Sequence, residues 1–169
     1  MTKKQKNVTV ISISLNIILI ACVIWGYSKM NFVKDQVILT EVQRNLVELE
    51  GLIDHQKKNN WSEPNSVTTK MGDILNGIWL GRTTGRQLGT FSKTDQEILS
   101  DLYSKLNQFP SDEIYQFADL TEEDKENFEE LQKSLREVGL GMRITIKADR
   151  KYFMSQAEKL SEKIEVPLK

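Results

Sequence analysis

The pattern of apolar and charged positions divides the chain into one uncharged stretch followed by several amphipathic ones. Residues 8–28 carry no charged side chain, and Lys29 closes this stretch. A hydrocarbon core about 30 Å thick needs roughly 20 helical residues to cross it. A buried helix of a soluble protein of this length usually keeps a polar face toward water. Residues 8–30 are therefore predicted to form a single transmembrane helix that acts as a signal anchor.

Lysines near the N-terminus predict the orientation of this helix. Three of them precede the apolar stretch: Lys3, Lys4 and Lys6. Because positive charge is enriched in cytoplasmic segments next to a span, residues 1–7 are predicted to form a cytoplasmic tail. Residues 31–169 are then predicted to lie outside the cytoplasm. The lipid bilayer is the first partner that the sequence indicates.

A cysteine within the apolar stretch leaves a second form of anchoring open. The segment Leu-Ile-Ala-Cys that ends at Cys22 resembles the lipobox of bacterial lipoproteins. This resemblance implies cleavage before Cys22 and lipid modification of its thiol. However, residues 23–25 continue the apolar run, and the run is long enough to cross a membrane only if it is kept whole. The uncleaved helix is therefore favoured, and either form tethers the remainder to a membrane.

Three polar side chains lie on one face of the predicted span. Thr9, Ser12 and Asn16 follow one another at spacings of three and four. Hydrogen bonds between helices in lipid contribute about 1 kcal/mol, so this face is a candidate site for association with another membrane helix. The alternative is that these side chains bond to water or to the backbone of their own helix.

After the span, an apolar seam predicts a helix that continues toward the C-terminus. Its members recur mostly three and four residues apart, as in a coiled coil or a bundle helix. They are Phe32, Leu39, Val42, Leu46, Leu49 and Ile53. Residues 31–58 are therefore predicted to form a juxtamembrane helical stalk.

Residues 59–169 are predicted to form an extracytoplasmic bundle, which makes the soluble part an all-α domain of four to five helices. Thr94 with Glu97, or Ser92 in competition, caps one helix, and Thr121 caps the next. A short helix is predicted at 111–117 with Ile114 and Phe117 in the core, and a last helix at 142–164. Trp61 is expected to pack against the bundle. Since Cys22 is the only cysteine, hydrophobic packing must stabilise this domain without disulfides.

Glycines recur at every fourth residue in one stretch of this domain, at 77, 81, 85 and 89. Within a helix they would form a bare stripe that allows close backbone approach. Each internal glycine costs about 1 kcal/mol relative to alanine, so the favoured prediction is a helix that ends near Gly81, followed by a mobile connection. In that connection, one group of side chains is a candidate anion-binding site: Arg82, Thr83, Thr84 and Arg86. The alternative is that both arginines are simply solvated.

The rest of the composition narrows the possible functions. The net charge is −1, with no concentrated basic face, so nucleic acid is not expected as a partner. His55 is the only histidine, and no nucleophile or metal-ligand spacing is present. The acids that begin the helix after Thr121 are interpreted as favourable contacts with the helix dipole rather than as a metal site. No catalytic, cofactor or metal site is predicted, and an enzyme is the least favoured class.

Two functions remain as expectations. The first is a membrane-anchored helical interaction or structural module of the cell envelope that binds a partner protein or itself. The alternative is an extracytoplasmic ligand-sensing domain that works through a partner. In layout only, a membrane helix leading into a bundle resembles the four-helix sensor domains of bacterial chemoreceptors.

Overall fold

The computed structural model describes residues 3–165 and 168, apart from the side chain of Lys34. Residues 1 and 2 of the predicted tail, and 166, 167 and 169 of the predicted bundle, lie outside the described residues. The chain forms two compact units, Met1–Val33 and Lys34–Lys169. Each is considered by itself below.

Helices account for the regular structure of the described residues. Their bounds are α1 at Lys3–Val37, a π-helical segment at Ile38–Arg44, α2 at Asn45–Lys58, α3 at Asn65–Gln87, α4 at Lys93–Leu106, α5 at Glu122–Glu137 and α6 at Arg150–Lys163. Helical residues follow one another without a break from Lys3 to Lys58, which gives five helices in all. Across residues 3–165, the only β-type pairing is one isolated bridge between Glu113 and Gln116. The predicted all-α fold is confirmed.

In the first unit, apolar side chains are exposed on every face of α1. The large hydrophobic residues from Val8 to Tyr27 are 54% to 67% exposed. This helix is long and apolar enough to cross a membrane. Within the described residues of this unit, no other helix covers these side chains.

The second unit packs α2 to α6 and the π-helical segment around one hydrophobic core. The first side chains of this core come from the segment that the sequence assigns to a stalk. Ile38, Val42, Leu46, Leu49 and Ile53 are all fully buried, whereas Leu39 is half-buried. From residue 38 onward, the predicted stalk therefore supplies the central helix of the bundle.

Local sequence signals explain most helix boundaries, with one cap misassigned. The Thr121 hydroxyl accepts a hydrogen bond from the backbone N–H of Asp124, as predicted, and the Asp124 carboxylate accepts one from the backbone N–H of Thr121. At α4, Ser92 and Asp95 form the capping box. The predicted cap at Thr94 is wrong because the helix already begins at Lys93, which places Thr94 inside its first turn.

Two further helix predictions are wrong. Residues 111–117 form no helix, and Ile114 and Phe117 are 88% and 62% exposed rather than buried. The last helix begins at Arg150 instead of residue 142, because Asp149 caps it by accepting a hydrogen bond from the backbone N–H of Tyr152. By contrast, Trp61 packs as predicted, with its ring centroid 6.3 Å from that of Phe128.

The glycine stripe lies inside α3, so the predicted mobile connection after Gly81 is wrong. Gly77, Gly81 and Gly85 are buried. A Cβ atom at Gly77 would overlap the backbone carbonyl of Glu41, and one at Gly81 would overlap the side chain of Ile38. The bare stripe therefore lets the π-helical segment approach the α3 backbone. This packing offsets the low helix propensity of glycine, and α3 ends just before Gly89, whose φ is +59°.

We expect Gly77→Ala to lower the free energy of unfolding by about 1–3 kcal/mol, because the added methyl group meets backbone that cannot move aside cheaply. Gly72 is a matched control in the same helix, since a Cβ there meets nothing within 4 Å. Gly72→Ala should stabilise α3 by up to about 1 kcal/mol. Denaturant unfolding of the detergent-solubilised chain measures both. Equal effects of the two variants would contradict the close packing at Gly77.

Candidate functional site

A cluster of charged and amide side chains lies between α2 and α5. Glu50 is only 3% exposed. The Nε of Arg136 donates to Glu50 at 2.5 Å, and its Nη2 donates to Asp54 at 2.7 Å. Gln132 donates to Glu50 at 3.4 Å and to Asp54 at 3.2 Å. One guanidinium group and one amide therefore bridge two carboxylates.

Helical spacing explains why these four side chains meet. Glu50 and Asp54 are four residues apart on α2, and Gln132 and Arg136 are four residues apart on α5. Residues at this spacing share one face of a helix. Because α2 and α5 pack side by side, each pair faces the other across the contact.

The same cluster holds the connection between α5 and α6. The backbone N–H of Met142 donates to the second carboxylate oxygen of Glu50 at 2.8 Å. The Met142 side chain packs onto Gly51, where a Cβ atom would overlap its sulfur. Further along, the buried Gln43 amide donates to the carbonyl of Lys147 at 3.2 Å. Residues 142–147 are therefore bound against α2 and the π-helical segment without forming a helix, and we name them the strap.

Ion pairing shifts the pKa of one carboxyl group in this cluster. Hydrogen bonds from Lys58, and then from Arg136, hold the pKa of Asp54 well below its usual range, against the opposing effect of burial. Asp54 in turn helps raise the pKa of Arg136. The charged forms are thus the ones that the fold stabilises, and this arrangement stabilises structure rather than preparing a group for proton transfer.

Residues with catalytic or ligating chemistry are otherwise dispersed. The His55 ring lies within hydrogen-bond distance of the Asn59 amide, at 3.0 Å. Within residues 3–165 and 168, no three His, Cys, Asp or Glu side chains are placed to hold a metal ion together. The cluster of Glu50, Asp54, Gln132 and Arg136 is therefore the most developed polar site in the described part of the chain.

The candidate anion site falls on the C-terminal half of α3. Arg82 lies over the ring of Tyr103, with 5.9 Å from its Cζ to the ring centroid. Thr83, Thr84 and Arg86 follow it within the helix. Helical hydrogen bonds occupy the glycine N–H groups that a loop would have exposed, and the C-terminal end of a helix dipole disfavours anions. The segment that carries these residues is therefore a helix rather than a loop, while binding of an anion there stays a prediction.

The candidate association face of α1 bonds to its own helix. The Asn16 amide donates to the carbonyl of Ser12 at 2.8 Å, and the Thr9 hydroxyl donates to the carbonyl of Gln5 at 3.0 Å. Cys22 is an exposed free thiol within the same helix. The backbone bonding that the sequence left as an alternative is therefore formed, while pairing with a second membrane helix stays a prediction.

The sequence pattern does not predict two of the exposed surfaces. They are the strap and the loop between α4 and α5, each of which the apolar pattern assigned to a helix. No local signal marks the loop, because Ser111 and Asp112 are both residue types that can cap a helix, whereas in the structure Asp112 accepts a hydrogen bond from the N–H of Ala118. Residues 142–147 of the strap alternate between apolar and polar side chains, which indicates a strand. The sequence offers no second strand to pair with it, so a helix is predicted instead.

No family model, curated protein or solved structure matches this chain. The functional conclusion therefore has to come from the chemistry of its own residues.

We expect Asp54→Asn to lower stability by about 1–2 kcal/mol at neutral pH, because it removes the charge that Lys58 and Arg136 contact. A carboxyl group with a depressed pKa in the folded state stabilises the fold above its unfolded pKa of about 3.9, and this contribution is lost as pH falls. The difference between wild type and variant should therefore shrink as the pH is lowered from 6 toward 3, with urea unfolding as the measurement.

A control is available in Glu97, whose side chain is 65% exposed and lies 3.7 Å from Lys93. Glu97→Gln should change stability by less than about 0.5 kcal/mol at each pH. An Asp54→Asn effect that stays constant with pH would show that charge at this position does not stabilise the fold.

Proposed function

We propose that this protein is a membrane-anchored interaction module. In this proposal α1 crosses the bilayer at residues 8–30, and the helical bundle of residues 34–169 is held at the membrane surface outside the cytoplasm. The bundle acts by binding protein, either another envelope protein or a second copy of the chain.

The observation that carries this proposal is the uncovered apolar surface of α1. A soluble protein buries such side chains, whereas here those from Val8 to Tyr27 are more than half exposed on every side. Water is an unfavourable environment for a continuous apolar surface of this size. Lipid is favourable for it, since each Leu, Ile, Phe or Val at the centre of a span contributes about 0.3–0.6 kcal/mol to insertion.

Charge supports the proposed orientation. Lys3, Lys4 and Lys6 flank the start of the apolar run, where cytoplasmic ends of spans are enriched in basic residues. Trp25 and Tyr27 lie near its other end, and their amphipathic rings favour the headgroup region.

The character of the bundle supports binding rather than catalysis. Among the described residues, Glu50 is the one acid classed as buried, and it already has Arg136, Gln132 and Met142 as hydrogen-bond donors. Meanwhile Ile114, Tyr115 and Phe117 expose large apolar side chains on a short loop. Exposed apolar side chains that cluster together are typical of surfaces for protein contacts.

Membrane extraction tests the anchor. We expect the full chain to stay in the membrane pellet after washes with high salt and with alkaline carbonate. Leu15→Lys together with Ile18→Lys should release it into the supernatant, because each lysine at the centre of a span costs about 2.5–3.5 kcal/mol.

The matched control places lysines on apolar side chains of the bundle that are at least as exposed, with Ile114→Lys and Phe117→Lys. These should leave the chain in the pellet. Wild-type protein in the alkaline supernatant, or release by the control variant alone, would contradict the proposed span.

A further inference from the structure

Two surfaces of the second unit pair exposed apolar side chains with opposite charges. One is the strap, residues 142–147. The other is residues 113–117 of the loop between α4 and α5, which we name the tip.

The tip is held in one conformation while its side chains face solvent. The backbone N–H of Glu113 donates to the carbonyl of Gln116 at 2.9 Å, and the reverse bond is 3.3 Å. On the N-terminal side, Asp112 accepts hydrogen bonds from the Thr69 hydroxyl at 2.5 Å and from the N–H of Ala118 at 3.1 Å. Ordering this loop on binding therefore costs little conformational entropy.

Exposure at the tip is nearly complete. Ile114 is 88% exposed, Tyr115 99% and Phe117 62%. A tyrosine with no cover in its own chain is the kind of anchor that dominates protein interfaces once a partner buries it.

Acidic residues surround the tip. Residues 112–124 contain six acids and no basic residue. The acids are Asp112, Glu113, Asp119, Glu122, Glu123 and Asp124. This charge disfavours docking on an anionic lipid surface and favours a partner surface that carries cations beside apolar groups.

The strap carries cations beside apolar groups. Met142 is 63% exposed and Ile144 45%, and between and beyond them lie the exposed cations Arg143 and Lys147. Among the described residues, Arg143 forms no ion pair. The strap also borders a groove of about 410 Å³, to which Arg136 and Gly141 contribute.

Side-chain contacts hold both surfaces on the bundle. Asp112, beside the tip, binds the Thr69 hydroxyl of α3, and Glu50 of α2 binds the backbone of Met142 in the strap. Each copy therefore carries an acidic apolar surface and a basic apolar surface that are complementary in charge.

We propose that the tip of one copy of this chain docks on the strap of a second copy. The inference rests on the proposed function in one respect, since tethering to a membrane raises the effective concentration of a weak lateral contact. We infer that each copy uses its tip on one neighbour and its strap on another, so that the contact is head-to-tail and extends into rows or closed rings.

Disulfide trapping in membranes tests this contact in the full chain. Two copies with tags of different mass are co-expressed, both with Cys22→Ser, one with Tyr115→Cys and the other with Ile144→Cys. We expect mild oxidation to give the mixed dimer at several times the yield obtained when the second copy carries Lys93→Cys instead. The side chain of Lys93 is 92% exposed, so a cysteine there is at least as accessible as one at position 144, which is 45% exposed in the wild type.

The other outcomes are decisive as well. A mixed dimer no more abundant than the Lys93→Cys control would overturn the proposal, because it would reflect random collision. Predominance of the dimer between two Tyr115→Cys copies would overturn the assignment of the strap. A chain that carries both Tyr115→Cys and Ile144→Cys should give species larger than dimers, whereas an end product of dimers alone would contradict a head-to-tail contact.

Charge exchange adds a readout that does not depend on where the cysteines are placed. Glu113→Lys in the first copy, or Arg143→Glu in the second, should lower the trapped yield by about threefold or more. The two changes together should restore it, and a yield that ignores both would contradict the charge complementarity. Loss of trapping while the chain stays in the alkaline membrane pellet refutes only this contact, whereas loss of the chain from the pellet refutes the anchor.

Discussion

The apolar side chains of α1 from Val8 to Tyr27 are more than half exposed, and this exposure is the one constraint on which the account depends. Folding stability comes mainly from removing apolar surface from water, and residues 34–169 achieve this with a core in which most side chains are fully buried. The apolar residues of α1 do not share in that burial. In the proposed arrangement a bilayer resolves the difference, because a helix satisfies its own backbone hydrogen bonds and needs only an apolar surrounding.

Within the bundle, part of the apolar surface is removed from water by bringing two helix backbones close together rather than by packing large side chains between them. Gly77 and Gly81 of α3 remove two side chains from the interface and bring the π-helical segment against the helix backbone, while Gly85 makes room for the ring of Phe91. A π-helical segment of seven residues is unusual. Such segments are often found where a particular backbone geometry is needed in place of a regular α-helix. Here the carbonyl of Glu41 accepts the Asn45 amide at 2.8 Å while it faces Gly77. Packing thus compensates for poor local propensity on both helices.

The sequence predicted the elements that have a strong period or a clear cap, such as α2, α4 and α5. It failed where tertiary contacts decide. Glycine propensity alone ended α3 too early, since the gain from packing on Glu41 and Ile38 is not visible in a local window. The sequence pattern predicts that the last helix begins at residue 142, although Glu50, far away in sequence, binds the backbone of Met142 in a turn. Tertiary contacts also decide the polar cluster of Glu50, Asp54, Gln132 and Arg136. In the sequence, each pair of this cluster resembles an ordinary solvated helix face, so the cluster is not predicted.

Thiol accessibility tests the bilayer environment of α1 most directly, because Cys22 is the only cysteine in the chain and lies within the apolar helix. In intact membranes, a water-soluble maleimide should leave Cys22 unlabelled. A thiol introduced into the bundle by Lys93→Cys should react with the same reagent once the vesicles are opened and the reagent can reach the bundle. After denaturation in detergent, Cys22 should label fully. Labelling of Cys22 in intact membranes as fast as that of the Lys93→Cys thiol would show that water, not lipid, surrounds this helix.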